Sequence, residues 1–218
     1  MSVTDRILGP RVSREEMQEH AERYRLPKWL FSAAALLLMV SLLLPYWILL
    51  LSAPQFPDGL TLRAYVNRLE GDVGELDGLN HYIGLKSFSE AAPIERSIAV
   101  PAIIAVAVLL IVAVFSRSRW VLVVVTPALF FPVVFVIDLQ FWLWLFGNNL
   151  DPAAPLAAAV GEFTPPVFGP AEIAQFDTLA LPGPGLLLAL TASALIIRGL
   201  YLRRRACRPH AEAISRDE

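Results

Sequence analysis

Asp77 and His81 stand four residues apart in the run Gly71-Asp72-Val73-Gly74-Glu75-Leu76-Asp77-Gly78-Leu79-Asn80-His81-Tyr82-Ile83-Gly84. At helical spacing their side chains share one face. A carboxylate one turn from an imidazole suits half of a divalent-metal site, or a pair in which the acid orients the ring. The plainer reading is a hydrogen-bonded histidine at a helix C-terminus, where the macrodipole favours its protonated form. One histidine with no cysteine and no nearby methionine is a poor copper or zinc site by itself. Asn80, His81 and Tyr82 end the helix together, and they are the candidates for docking a partner. His81 is also the only histidine outside the two charged tails.

Asp138 is the second candidate for chemistry, in Val136-Ile137-Asp138-Leu139-Gln140-Phe141-Trp142. A carboxylate within a membrane-spanning helix is costly enough to suggest function by default. Counted from Trp120 at helical rise, it lies about 27 Å along its helix, near one interface. There it is either a hydrated structural acid or, facing His81, the second half of a His/Asp metal or catalytic pair. Phe141, Trp142, Trp144 and Phe146 around it resemble an interfacial aromatic belt. His81, Asp77 and Asp138 together are the candidate metal ligands.

Other chemistries fall away. Cys207 is the only cysteine, so the chain holds no internal disulfide, no thiolate cluster and no Cys-x-x-Cys-His attachment for covalent haem. As a thiol beside a basic cluster it is a plain cytoplasmic cysteine or a palmitoylation site. No histidine lies in an apolar block to ligate a b-type haem. Phosphate-loop, nucleophile-elbow and His-Glu-x-x-His motifs are absent, and nothing points to nucleic acid. No enzyme class is indicated.

The elements that must position these residues are set by hydropathy. With 56% hydrophobic and 17% charged residues, the 218-residue chain is too apolar for an ordinary soluble domain. Four apolar blocks each approach the roughly 20 helical residues a bilayer needs. The reading is an all-α membrane protein, with four transmembrane helices and a small α+β extracytoplasmic cap built from the two outer loops. Its segments are a cytoplasmic leader 1–28, span 29–51, outer loop 52–97, span 98–115, turn 116–119, span with interfacial extension 120–146, outer loop 147–184, span 185–202 and cytoplasmic tail 203–218. A cleavable signal peptide is the alternative for the first block, but its polar leader is long and no small-x-small site follows.

Basic residues orient the chain. Arg6, Arg11, Arg14, Arg23, Arg25 and Lys28 crowd the leader, Arg117 and Arg119 the turn, and Arg203, Arg204 and Arg205 the tail, whereas 147–185 has none. The positive-inside rule places both termini in the cytoplasm of an inner membrane, with membrane lipid and a membrane or periplasmic protein as partners. Residues 12–25 read as a short polar helix from Ser13 with His20 in solvent, and the end of the tail as disordered.

Within the outer loops, Leu60 to Leu69 alternates with Leu60, Leu62, Ala64 and Val66 on one side, a strand pattern. Asp72 with Glu75 makes a capping box for the helix that follows. Val73, Leu76, Leu79 and Ile83 form its apolar stripe, and Gly84 its C-terminal cap. Ile173 to Leu181 is a second strand, expected to pair with the first.

Three stretches carry a resemblance: Phe56-Pro57-Asp58-Gly59-Leu60, Leu79-Asn80-His81-Tyr82-Ile83-Gly84, and Asn149-Leu150-Asp151-Pro152 with Phe163-Thr164-Pro165-Pro166. They resemble a family of small multispanning membrane proteins associated with nitrous-oxide reductase gene clusters, often loosely labelled cytochrome c. The resemblance implies an accessory role in copper-dependent nitrous-oxide respiration: copper supply, enzyme maturation or docking. Where relatives have Met after the Ile-Gly and His near Asn-Leu-Asp-Pro, this chain has Leu85 and Asn148, which favours docking over metal ligation. The alternatives are a structural scaffold subunit of a membrane complex, or a membrane enzyme using Asp138 and His81.

Overall fold

The computed structural model describes residues 21–116, 120–173 and 176–217. Along the chain run α1 (Ala21–Ser41), β1 (Trp47–Ala53), β2 (Phe56–Ala64), β3 (Leu69–Gly71) and α2 (Val73–Ile83). A 3-10 turn at Phe88–Glu90 leads into α3 (Pro93–Phe115), α4 (Val121–Gly147) and the single turn α5 (Ala157–Val160). The hairpin β4 (Gly169–Ile173) and β5 (Phe176–Pro182) then feeds α6 (Pro184–Asp217).

Four spans under a small cap is corrected on both counts. Among the described residues three helices are long and apolar enough to cross a membrane: α3 with 23 residues, α4 with 27, and Pro184–Arg205 of α6 with 22. The first apolar block, 29–51, is split instead. Glu22, Arg23, Arg25 and Lys28 occupy the early turns of α1. They leave an apolar run of about 12 residues, roughly 18 Å at helical rise, against a hydrocarbon core of about 30 Å. Past Ser41 the chain turns, with Leu43 and Leu44 donating to the carbonyls of Val40 and Ser41. Pro45 has no N–H with which to continue a helix, and Trp47-Ile-Leu-Leu-Leu becomes β1.

The sheet has five antiparallel strands in the order β3-β2-β1-β5-β4. Residues 60–69 and 172–180 were expected to pair with each other. They do not, because β1 lies between them: Leu49 pairs with Leu62 on one side and with Ala180 on the other. A strand paired on both edges and buried on one face can be apolar throughout, and such a run is indistinguishable by period from half a membrane helix. The alternation in β2 is as read: Leu60, Leu62 and Ala64 are buried, and Val66 beyond the strand is buried too. The edges are blunted, since β3 has three residues and β4 carries Pro170.

The chain divides into two compact units. One comprises Met1–Met39, Ala102–Phe131 and Leu188–Glu218. Its interior mixes large side chains, Phe31, Leu38, Ile103, Leu110, Val125 and Ile196, with small ones that membrane helices commonly bury. Ala34, Ala107, Ala113, Ala128, Ala189 and Ala192 are buried there. Ser193 Oγ donates to Leu129 O at 2.9 Å, and Arg203 donates to Ser116 O at 3.0 Å, closing off free carbonyls at the end of α3.

The other unit comprises Val40–Pro101 and Pro132–Leu187. Its core is the inner face of the sheet, Trp47, Leu49, Leu51, Leu60, Leu62 and Ala180, covered by Leu76 and Ile83 of α2 and Leu143 of α4. The leader up to His20, with its expected helix from Ser13, and the turn at 117–119 lie outside the described residues, as does the side chain of Cys207. The tail, expected to be disordered, is helical in its backbone to Asp217.

Candidate functional site

α2 forms where the stripe Val73, Leu76, Leu79 and Ile83 can lie on the sheet, and its two ends are tied by different means. At the start, the expected capping box is absent. Asp72 makes no side-chain cap bond. Its Oδ2 accepts from Thr61 N at 2.8 Å while its own N–H donates to Thr61 O at 2.9 Å, so the residue extends the β2–β3 ladder by one step. A paired strand amide outcompetes the helix's own free amides for that carboxylate.

The C-terminal end is as read, and more firmly held. Gly84 takes a left-handed φ of +83°, and both its N–H and that of Leu85 bond to Asn80 O. Gly84 O accepts from Asp151 N at 2.8 Å, and Tyr82 O accepts from Leu156 N at 3.0 Å. Asp77 Oδ1 accepts from Phe88 N at 2.6 Å. Two stretches, the 148–156 loop and the segment at Phe88, thus tie down α2 around His81. The runs Leu79–Gly84 and Asn149–Pro152 meet here. Nearby, Gly147 accepts from Phe163 N at 3.1 Å, with no room for a side chain against Phe163 O.

On this frame the candidate residues divide. His81 and Tyr82 are exposed, Tyr82 at 59%. His81 borders an open polar cleft of about 350 Å³ with Lys86, Glu90, Asn149 and Asp151. Asn80, expected beside them at the surface, is 6% exposed and points the other way. Its amide Nδ2 is buried with no hydrogen-bond partner, and it borders an apolar cavity of about 50 Å³ between the sheet and α2.

The metal set is not assembled. Asp77 spends one oxygen on Phe88 N, and among the described residues no group of three or more His, Cys, Asp or Glu is placed to share an ion. Asp138 is half-buried beside Glu95 and the Trp142 indole rather than beside His81. Glu95 Oε2 and Trp142 Nε1 are buried there without a formed hydrogen bond. Glu95 was missed because it lies 43 residues from Asp138 in a stretch read as loop. It belongs instead to the first turn of α3. Asn148, at the position where the resembled family has His, donates to Trp144 O, Phe163 O and Thr164 Oγ1, so its amide is consumed in holding the loop.

The class defined so far is a helix-and-sheet protein with three span-length apolar helices among the described residues and a histidine–tyrosine pair on a fixed helix end. Comparison with family models, with curated proteins and with solved structures finds no match.

Proposed function

We propose that the protein is an accessory protein of copper-dependent nitrous-oxide respiration, anchored in the cytoplasmic membrane, whose sheet-bearing unit docks an extracytoplasmic partner through the end of α2. What carries the reading is the pairing of exposed His81 and Tyr82 with a helix end that the 148–156 loop holds through Gly84 O and Tyr82 O and that Phe88 N holds through the Asp77 carboxylate. A partner meeting a preorganised surface has little ordering entropy to overcome, and an aromatic ring is a common anchor of such contacts. The resemblance noted in the sequence supplies the biological setting, and two of its stretches, Leu79–Gly84 and Asn149–Pro152, meet at this end of α2. Docking is preferred to copper handling because Asp77 and Asn148 are already committed to backbone, and Leu85 offers no ligand atom.

The test is respiration with nitrous oxide as sole acceptor in the source cell. His81→Ala and Tyr82→Ala should each weaken partner binding about 5- to 30-fold, the cost of a truncated hot-spot side chain. Nitrous-oxide reduction should fall while the protein accumulates normally in the membrane. Normal reduction by the His81→Ala/Tyr82→Ala double variant would remove the site and leave the scaffold reading. Purified protein that competes for Cu(I) in a His81-dependent way would move the assignment from docking to metal supply.

A further inference from the structure

We propose that the outer face of the sheet, across β1, β5 and β4, docks a cationic segment of a partner protein, one that carries lysine or arginine beside an apolar side chain. Side chains on this face alternate with those of the core. The register sets them in rungs: Ile48 beside Leu181, Leu50 beside Leu179, and Ser52 beside Asp177. β4 continues two of these, with Pro170 beside Leu179 and Glu172 beside Asp177. Leu50, Leu179 and Leu181 are each 37–38% exposed, where a sheet face open to water ordinarily carries polar residues. Leu50, Leu179 and Pro170 line an open groove of about 600 Å³ with Ser52, Glu172 and Asp177.

Charge decides the occupant. Glu172 and Asp177 stand directly opposite each other in the β4–β5 hairpin. Like charges at such positions cost a hairpin stability. Among the described residues neither carboxylate forms an ion pair. At the other end of the same face the fold does balance its charges, since Arg63 stands opposite Glu70. The acids therefore make an unneutralised rung about 7 Å, two residues of strand rise, from the leucine rung. A segment with a cation and an apolar side chain at that separation meets both at once. It brings opposite charge to the acids and covers the leucines, the complementarity that fixes partner and register at an interface. An acidic segment is repelled by the same rung.

The inference is independent of the docking reading at the end of α2, because α2 covers the opposite face of the sheet through Leu76 and Ile83. The experiment uses full-length protein in nanodiscs of neutral phosphatidylcholine, so that lipid charge does not attract the probe. The probes are three short labelled peptides of equal length: one with lysines beside leucines, one with its lysines replaced by glutamate, and one with its leucines replaced by serine. Binding is read by fluorescence anisotropy. The lysine–leucine peptide should bind about tenfold or more tightly than either control, and its affinity should fall as salt rises. Glu172→Gln/Asp177→Asn should weaken it about 3- to 10-fold, the strength of two exposed ion pairs. The melting temperature of that variant should stay level or rise, because a like-charge pair is gone. Leu179→Ser should weaken binding by a similar factor with the salt dependence kept, and His81→Ala should leave it unchanged. Equal binding of the lysine and glutamate peptides, no binding of the lysine–leucine peptide, or full binding by both folded sheet variants overturns the proposal. Association between copies in detergent that these substitutions abolish, in place of peptide binding, overturns it too and gives the face to a second copy.

Discussion

At the scale of single residues, the outcome turns on which polar groups find partners. Tyr46 is fully buried between α1 and β1, with its hydroxyl 2.6 Å from Ser41 Oγ and its ring 4.9 Å from Phe135. Burial pushes its phenol up to about 12, partly offset by Ser41. The unfolded phenol ionises near its ordinary value of 10. Between those two values the unfolded chain releases a proton that the folded chain keeps, so folding stability is full below pH 10 and falls as pH rises toward 12. Thermal unfolding in detergent should show this decline in wild type and lose the Tyr46 part of it in Tyr46→Phe. At neutral pH that variant should cost about 1 kcal/mol, the net worth of one buried hydrogen bond. His81 and Tyr82 were legible as surface residues because they fall off the apolar stripe of α2. The burial of Asn80 was legible from the same wheel, since it lies four residues after Leu76 and seven after Val73 on the face turned to the sheet, but its polar side chain drew the reading to the surface.

At the scale of elements, local chemistry settled ends better than it settled types. Gly84 was readable as a cap from its place after Ile83, and the structure adds a second demand on it. A side chain there would sit 2.8 Å from Asp151 O, on top of a φ that L residues rarely adopt. Gly84→Ala should therefore destabilise by about 1–3 kcal/mol and release the 148–156 loop. Limited proteolysis should find new cleavage there while helical circular dichroism is retained. In the helical unit, Ser193→Ala removes the bond to Leu129 O. It should lower stability in detergent by about 0.6–1.7 kcal/mol, the range for hydrogen bonds between membrane helices. The type of β1 was misread. Trp47 to Leu51 has no polar residue to reveal a period of two, and only its partners on both sides make it a strand.

At the scale of the whole molecule, the prediction concerns sides. Arg203, Arg204 and Arg205 end the third span-length stretch, and Arg117 and Arg119 fall in the sequence between the first two. Both belong on the cytoplasmic face if the positive-inside rule holds, with the sheet opposite. Cys207 should react with an impermeant maleimide only after permeabilisation. A cysteine placed at exposed Leu179 in a Cys207→Ser background should react in intact cells. The reverse pattern would sink this orientation. By itself the sequence determined what depends on nearest neighbours and on length: the three apolar stretches beyond residue 93, the alternation of Leu60 to Ala64, the helix of 73–83 and its glycine cap. Tertiary structure decided what depends on long-range partners. Strands at 56–64 and 176–182 claim residues 47–53 for a sheet, and Thr61 takes the Asp72 carboxylate from its own helix. The physical reason is common to both. An apolar run or a carboxylate has several near-equal local options, and the group that satisfies its hydrogen bonds lies far along the chain, where no local pattern records it.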